Sequence, residues 1–199
     1  MKNELLSVLN KKEHRLVSGY QIAKNNIIYH EGDVCENVGI VISGKIDIIS
    51  FSLDGKEMVL NSLKAGDIFG NNLIFSSEPI YRGDIIAKEK CVIAFINKEN
   101  LIYLLQNNRD FLRLYLKAQS DFGKSLNARI QLLSFTNAED RLFYYASKND
   151  NVIIFKNVTS LAQQIGIQRE TLSRLLTNLV KRHLIKKEKG KITVLKKKR

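Results

Sequence analysis

The sequence predicts an α+β protein with an N-terminal antiparallel β-roll, a long helix and a C-terminal winged helix-turn-helix. Three observations support this order. Short β-branched segments separated by glycine turns fill the first hundred residues, which is typical of a barrel or roll. A heptad pattern follows, and then a helix, a glycine turn, a second helix and a basic hairpin. The predicted parts are residues 1–108, 109–136 and 137–199.

The predicted strands of the first part are rich in isoleucine and valine, and turn-forming residues separate them. Even spacing of such strands favours an antiparallel arrangement. The strands are predicted at residues 27–29, 39–42, 45–49, 58–60 and 91–95, with turns at Glu31-Gly32-Asp33, Ser43-Gly44, Asp54-Gly55, Gly66-Asp67 and Gly83-Asp84.

A heptad seam predicts a long helix that pairs with a second copy of the chain. Its members recur at alternating spacings of four and three residues, as in coiled coils. A second apolar stripe, which includes Leu116 and Ile130, lies on a neighbouring face, so one face can pack on the roll while the other meets a partner. We therefore predict a homodimer with a parallel pair of long helices. The predicted interface residues are Phe111, Tyr115, Ala118, Phe122, Ser125, Arg129 and Leu132.

The last part of the chain predicts three helices and a β-hairpin, which is the pattern of a winged helix-turn-helix. Thr159 or Ser160 can cap the second helix, and Gly166 ends it. The elements are predicted at residues 138–148, 161–165, 169–181, 184–186 and 192–194, with a turn at Lys189-Gly190. The third helix is expected to turn inward Leu172, Leu175, Leu176, Leu179 and Val180.

Nearly all of the net charge lies at the C-terminal end. Residues 151–199 contain 13 basic and two acidic residues, which gives +11 of the chain's total of +12. A basic face confined to one small segment is typical of a module that binds a polyanion, most often nucleic acid. A solvated charge run is the alternative, and it is the favoured interpretation for the tail at residues 196–199. For the helix that begins at Arg169, an interleaved apolar stripe favours a binding face.

Composition argues against several other classes of protein. No apolar run approaches the roughly 20 residues needed to cross a bilayer, and the N-terminus lacks the apolar core of a signal peptide, so a cytoplasmic location is expected. Cys35 and Cys91 are too few for an iron–sulfur cluster or a cysteine-rich zinc site. The three histidines are expected at the surface or in turns, and no metal site is predicted. Both cysteines are expected to be structural, and the alternative of a redox switch at Cys35 would rest only on exposure of its thiol.

Three glycine motifs and one helix resemble a known family. The motifs and the helix are Ile28-Tyr29-His30-Glu31-Gly32-Asp33, Ile42-Ser43-Gly44-Lys45-Ile46, Gly66-Asp67-Ile68-Phe69-Gly70 and Arg169-Glu170-Thr171-Leu172-Ser173-Arg174. They look like the turns of a cyclic-nucleotide-binding β-roll and the recognition helix of the bacterial CRP/FNR transcription regulators. The resemblance covers nearly the whole chain, in the family's order of roll, dimer helix and winged helix. It implies a homodimeric regulator that binds double-stranded DNA and acts with RNA polymerase.

The helix at residues 169–181 carries side chains suited to reading bases, because a recognition helix enters the major groove by its first turns. Arg169 and Arg174 can donate paired hydrogen bonds to guanine, and Glu170 can accept one from cytosine. The alternative is that these are ordinary surface charges. Similar family helices imply a palindrome with half-sites related to TGTGA or TTGA, and the residues leave both open. The predicted DNA-binding residues are Thr159, Gln168, Arg169, Glu170, Ser173, Arg174 and Lys187, with Thr159, Gln168 and Lys187 expected at phosphates.

The resemblance also implies an effector pocket in the roll, where the residues depart from the cyclic-AMP-binding pattern. Gly70 matches the first residue of the family's Gly-Glu pair, but Asn71 stands at the Glu position. Arg82 can neutralise a phosphate, but Gly83 stands where the family has a hydroxyl. These departures count against specific cyclic AMP binding, and a small anionic effector of open identity is predicted. The predicted effector-binding residues are Gly70, Asn71, Asn72, Leu73, Arg82, Gly83 and Asn127.

Two other functions compete with a DNA-binding regulator. A cyclic-nucleotide-binding module that acts through a protein partner would need neither the basic segment nor the helix at Arg169, so both features favour DNA binding. An enzyme has no support from the motifs, because the sequence contains no glycine-rich phosphate loop, nucleophile elbow or paired His and carboxylate motif. We therefore predict a DNA-binding transcription regulator that is not an enzyme.

Overall fold

The computed structural model describes residues 3–51, 55 and 57–195 in two compact units. The first unit spans Met1–Asp121 and the second spans Phe122–Arg199, so the division falls within the long helix. The predicted turn residue Asp54 and the basic tail at residues 196–199 lie outside the described residues. The predicted combination of an antiparallel β domain, a long helix and a helix-turn-helix domain is confirmed.

Eight strands form two antiparallel four-stranded sheets in the first unit. They are β1 (Ser18–Ile22), β2 (Ile27–Tyr29), β3 (Asn37–Ser43), β4 (Lys45–Phe51), β5 (Glu57–Lys64), β6 (Ile68–Phe69), β7 (Asp84–Ala87) and β8 (Cys91–Asn97). The strand order is β1-β8-β3-β6 in one sheet and β2-β7-β4-β5 in the other. All five predicted strands are present, and the structure adds β1, β6 and β7.

Two glycines allow the strands to approach closely. A Cβ atom added to Gly39 would lie only 2.0 Å from the ring of Phe69, so β3 passes directly against that ring. Gly44 joins β3 to β4 with a φ of +88°, a conformation that other residues rarely adopt. The strands enclose an aliphatic core that includes the fully buried residues Ile40, Ile46, Ile74, Ile85, Ile93 and Ile96.

Among the described residues, three α-helices belong wholly or partly to the first unit, besides a 3-10 turn at Glu13–Leu16. They are α1 (Glu4–Ser7), α2 (Lys98–Asn107) and α3 (Arg109–Ser134). The side chain of Asn97 caps α2 by accepting a hydrogen bond of 2.8 Å from Asn100 N. Asn108 lies between α2 and α3, accepts a hydrogen bond from Phe111 N and donates one to the carboxylate of Glu13. These contacts fix the point at which α3 begins.

The structure corrects part of the predicted dimer seam on α3. Phe111 and Tyr115 are buried in the core of the first unit, and Leu132 is buried in the core of the second. These three side chains are buried by contacts within one chain, so they cannot form the interface with a second copy. Ala118 is half-buried, and the other predicted seam residues, Phe122, Ser125 and Arg129, are exposed. The neighbouring apolar stripe is exposed instead, at Leu116, Leu126, Ile130 and Leu133.

After the end of α3, the described residues of the second unit form three helices and a small sheet. They are α4 (Ala138–Ser147), α5 (Val158–Ile165), α6 (Arg169–Lys181), β9 (Val152–Ile154), β10 (Ile185–Glu188) and β11 (Lys191–Val194). The strands form an antiparallel sheet in the order β10-β11-β9, and β9 is an addition to the predicted hairpin. Leu172, Leu176 and Leu179 are fully buried, as predicted, whereas Val180 is exposed because it lies at the edge of the inward face of α6.

Asn157 caps α5, and the predicted cap at Thr159 or Ser160 is wrong. The side chain of Asn157 accepts a hydrogen bond of 2.8 Å from Ser160 N, and the Ser160 hydroxyl accepts one from Asn157 N. This reciprocal pair is a capping box. Thr159 lies within the first turn and is exposed. Gly166 ends the helix in the left-handed conformation, at a φ of +65°, as predicted.

Replacing Asn157 with Ala is expected to lower the free energy of unfolding of the second unit by about 1 kcal/mol, because the first turn of α5 loses its side-chain acceptor. Urea denaturation of the full chain, followed by circular dichroism, measures the change. Thr159→Ala is the matched control and should change this free energy by less than about 0.5 kcal/mol. Equal losses in the two variants would contradict the assignment of the cap to Asn157.

Candidate nucleic-acid interface

The first turns of α6 have an exposed polar face opposite a fully buried apolar one. Leu172, Leu176 and Leu179 pack inward, while the side chains of Arg169 and Glu170 are 66% and 68% exposed. Side chains that point away from the core at this end of the helix are free to meet a ligand. The exposed residues here are Gln168, Arg169, Glu170, Ser173 and Arg174, all of which the sequence predicted as DNA-binding residues.

Arg169 and Glu170 form a loose ion pair on this face. The Nη1 atom of Arg169 lies 3.8 Å from Oε1 of Glu170, and both side chains are in contact with solvent. An exposed pair of this kind contributes little to folding stability. Each of the two side chains can therefore leave this ion pair and form hydrogen bonds with a bound molecule instead.

The turn between α5 and α6 sets the direction in which α6 leaves the core. After Gly166 reverses the chain, the N–H of Ile167 donates a 2.9 Å hydrogen bond to Ala162 O. Leu161 and Ile165 of α5 are fully buried in the core that α6 also enters. Thr159 is exposed on the first turn of α5. The two helices thus form the compact pair that a helix-turn-helix requires.

The hairpin of β10 and β11 carries exposed basic side chains. Lys187 is exposed, although its cross-strand partner Ile192 is fully buried. Lys186 donates a 2.8 Å hydrogen bond to the carboxylate of Glu188, which lowers the pKa of Glu188 and raises the pKa of Lys186. Glu188 therefore stays ionised beside Lys186, and Lys187 is directed to solvent from the same strand.

The predicted effector residues at 70–73 form a turn after β6. The amide side chain of Asn71 in this turn is already hydrogen-bonded to another residue of the protein. Asn71 is only 6% exposed. Its side chain donates to Gln119 Oε1, and its backbone oxygen accepts from Gln119 Nε2 at 2.7 Å and from the Tyr115 hydroxyl at 3.3 Å. Asn72 is exposed and Leu73 is half-buried. The turn is therefore held against the first half of α3.

Arg82 and Gly83 lie on a second segment of the first unit. Arg82 is exposed and donates a 2.8 Å hydrogen bond to the carboxylate of Glu78. A Cβ atom on Gly83 would lie 2.4 Å from Ile49 O, so this position has no room for a hydroxyl-bearing side chain. The remaining predicted effector residue, Asn127, is exposed on α3 in the second unit. Two of the predicted effector residues therefore already have partners within the protein: Asn71 is hydrogen-bonded to Gln119, and Arg82 is paired with Glu78.

Sequence reasoning missed Gln119 and an open cleft in the first unit. Gln119 follows Tyr115 by four residues, so helical spacing could have placed both on the face that meets the turn at Asn71. The cleft has a volume of about 370 Å³ and an uncharged lining that includes Tyr20, Tyr29 and Phe95. Its residues come from several separate segments, and no local sequence pattern joins them.

The thiol of Cys35 lacks the exposure on which a redox switch would rest. Cys35 is 2% exposed, its Sγ lies 3.4 Å from the Tyr81 hydroxyl, and burial raises the pKa of the thiol. A buried thiol with a raised pKa is a poor nucleophile. Among the described residues, no three His, Cys, Asp or Glu side chains lie close enough to share a metal ion. The helices that the structure describes include none with the length and hydropathy of a membrane-spanning segment.

Both parts of the chain match known domain families. Residues 21–108 match the cyclic nucleotide-binding domain, and residues 132–199 match the Crp-like helix-turn-helix domain. The chain is 27% identical over 177 residues to the cAMP-activated global transcriptional regulator CRP of Pasteurella multocida, covering 83% of this chain and 84% of that protein. It is 26% identical over 184 residues to the anaerobic regulatory protein of Bacillus subtilis, covering 86% and 77% respectively.

Solved structures share the fold over nearly the whole chain. A CooA mutant from Carboxydothermus hydrogenoformans matches with a TM-score of 0.72 and 22% identity, covering 98% of this chain and 92% of that one. The catabolite activator protein of Thermus thermophilus matches with a TM-score of 0.57 and 21% identity, covering 96% and 93%. Since both domain families occur here in one chain, on either side of α3, the chain belongs to the CRP/FNR family of DNA-binding transcription regulators.

Proposed function

We propose that the protein is a homodimer that binds a palindromic DNA sequence with half-sites related to TGTGA or TTGA. In this proposal an effector bound to the first unit controls DNA binding, and the bound dimer regulates transcription by RNA polymerase. The observation that carries the proposal is the exposed polar face of α6, where Arg169, Glu170 and Arg174 project from a helix whose other face is buried.

The chemistry of this face suits base reading better than general attraction to phosphate. Arg169 and Arg174 offer forked donors that match the O6 and N7 acceptors of guanine. Glu170 is repelled by phosphate, so its place at the start of the helix favours a contact with the amino group of cytosine. Thr159, Gln168 and Lys187 would hold the backbone on either side and fix the register.

The exposed stripe on α3 supports the proposed homodimer. Leu116, Leu126, Ile130 and Leu133 are 55%, 47%, 59% and 42% exposed in one chain, and they recur at helical spacing. Contiguous exposed apolar side chains mark sites of association. A second copy of α3 would cover them with an identical stripe, as in a two-stranded coiled coil. Phe122 lies beside this stripe, so the proposed interface keeps that residue from the original seam.

Arg82 is the cation that we propose for binding a small anionic effector in the first unit. Its guanidinium is exposed and paired with Glu78, so an anion would bind by displacing that carboxylate. The Pasteurella relative is named as cAMP-activated. In this chain Asn71 stands at the position of the family carboxylate and is bonded to Gln119, so cyclic AMP is not the effector that we propose.

The alternative, a regulatory module that acts through a protein partner, has one observation in its favour. The uncharged cleft near Tyr20, Tyr29 and Phe95 lies in the first unit, away from the basic residues of α6 and the wing in sequence. Binding of a protein partner at that cleft would not explain the basic charge of residues 151–199. DNA binding accounts for this charge directly, and we therefore place it first.

Selection from a pool of random duplexes tests the proposed function. The purified protein should enrich a two-fold symmetric sequence, and its half-sites should contain a guanine and a cytosine at the positions read by the arginines and Glu170. The recovered half-sites distinguish TGTGA from TTGA. Recovery of unchanged random pools after repeated rounds would contradict a sequence-specific regulator.

Lys187→Ala tests the proposed phosphate contact of the wing. Because each neutralised phosphate releases counterions, the slope of log affinity against log salt should become shallower by about 0.9 per subunit. Affinity should fall by a similar factor for the selected duplex and for a shuffled duplex, since a phosphate carries no sequence information. Titrations at several salt concentrations measure both effects, and an unchanged slope would remove Lys187 from the interface.

A further inference from the structure

The guanidinium of Arg141 joins two segments of the second unit that are far apart in sequence. Its Nε donates a 2.6 Å hydrogen bond to Phe135 O, and its Nη2 donates one of 3.2 Å to Leu133 O, both at the end of α3. Its Nη1 donates a 2.7 Å hydrogen bond to Gly166 O, in the turn between α5 and α6. One side chain on α4 thus binds the end of the long helix and the turn that directs α6.

These hydrogen bonds use a property that only arginine has among the basic residues. The last carbonyl groups of a helix have no partners within that helix, and a guanidinium presents several donors in a fixed plane. A lysine ammonium at residue 141 could bind one or two of these carbonyls, but it has no rigid fork with which to hold all three. The contact therefore fixes an orientation in addition to providing a charge.

Three further contacts pack the same junction. Gly166 lies so close to the end of α3 that an added Cβ atom would be 2.4 Å from Cδ2 of Leu133. On α4, the Tyr144 hydroxyl donates to Gln131 Oε1, and the Tyr144 ring lies 5.0 Å from the ring of Phe135. The end of α3 is thus packed against α4 and against the turn that precedes α6.

We propose that Arg141 is a positioning residue that fixes the direction of the recognition helix α6 relative to α3. The inference rests on the proposed function, in which α3 forms the dimer and α6 reads each half-site. In such a dimer, the angle between α3 and α6 in each subunit sets the separation of the two recognition helices. Arg141 therefore determines which spacing between half-sites the dimer accepts, without contacting DNA.

A series of palindromes with spacers changed by one or two base pairs tests this role. One base pair rotates a half-site by about 35°, since a turn of B-DNA contains about 10–10.5 base pairs. The wild-type protein should bind one spacer best and lose affinity by about tenfold for a change of one base pair, as for a mismatched site. Arg141→Gln should flatten this profile to about a threefold range, because a loosened junction lets α6 adapt.

Arg182→Gln is the matched control. Arg182 donates a 2.8 Å hydrogen bond to Glu139, which is 9% exposed, so its loss also destabilises the second unit. Among the described residues, the side-chain hydrogen bonds of Arg182 go to Glu139 on α4 and Asn178 on α6, and none goes to α3. This control should keep the wild-type spacer profile even where its overall affinity falls. The same flattening in Arg182→Gln would show that the profile reports stability, and would overturn the inference.

Arg141→Lys is the second variant and keeps the positive charge. An intermediate profile, sharper than that of Arg141→Gln, is expected because one ammonium can hold only part of the junction. A wild-type profile in Arg141→Lys would overturn the assignment to the guanidinium, including where Arg141→Gln fails to fold. A wild-type protein that binds all spacers equally would contradict the proposed palindrome itself, and so would be distinguished from a failure at Arg141 alone.

Discussion

Leu126→Glu is expected to convert the protein from a dimer to a monomer. Leu126 lies in the middle of the exposed stripe of α3 and is 47% exposed in one chain. In the proposed dimer the new carboxylate would be buried without a partner, twice in each interface. An unpaired buried charge costs about 3–5 kcal/mol, which corresponds to a dissociation constant raised by about a hundredfold or more.

Analytical ultracentrifugation at micromolar concentration measures this change, and Ala128→Glu is the matched control. Ala128 is exposed on the side of α3 opposite to Leu126, so the same charge is added there without entering the stripe. Ala128→Glu should remain a dimer. If Leu126→Glu also sediments as a dimer, the two chains associate through a different surface.

Glu170→Ala is expected to weaken sequence discrimination while leaving general DNA affinity intact. The side chain of Glu170 is 68% exposed and contributes at most a loose ion pair with Arg169, so the fold should not depend on it. Affinity for the selected palindrome should fall by about 1–3 kcal/mol, with relaxed choice at one base pair in each half-site. Affinity for a shuffled duplex should be unchanged or slightly higher, because a charge that repels phosphate is gone.

Competition titrations with both duplexes measure this difference, and Lys187→Ala provides the comparison. Glu170→Ala should change the ratio of the two affinities, whereas Lys187→Ala should lower both affinities together. Identical behaviour of the two variants would mean that α6 attracts DNA without reading bases. The proposed function would then reduce to DNA binding without sequence preference.

The elements with strong local signals could be predicted from the sequence. The bounds of α6 follow from Gly166 before it and from leucines at helical spacing along it, and both features act locally. The hairpin of β10 and β11 follows from Lys189-Gly190, where Gly190 has a φ of +73°. Strand β1 has the sequence Ser-Gly-Tyr-Gln-Ile and is largely exposed, so the sequence carries no apolar alternation there to reveal it.

The side that each apolar stripe of α3 faces could not be predicted from periodicity. A heptad pattern shows only that one face of the helix is apolar. Such a face can be buried equally well by another domain of the same chain or by a second copy of the chain. Phe111 and Tyr115 pack into the first unit because the turn at Asn71 and the residues that follow β6 meet them there. That contact joins residues more than 40 positions apart, so the spacing of apolar residues along α3 could not predict it.

Polar contacts within the site were also hidden from the sequence. Arg82 is a reasonable anion ligand by residue type, but only the structure places Glu78 beside it. Asn157 and Thr159 are both acceptable cap residues, and the choice depends on which backbone turn begins α5. Arg141 has no motif at all, since its three acceptors are backbone carbonyls that any sequence would supply.

The most direct test of the central claim is the ratio of affinities for the selected palindrome and for a shuffled duplex of equal length. Both affinities should be measured by fluorescence anisotropy in the same buffer at physiological salt. If α6 reads bases as proposed, the palindrome should bind at least about 10³-fold more tightly, the lower end of the range for specific regulators. Equal affinities for the two duplexes would contradict the account.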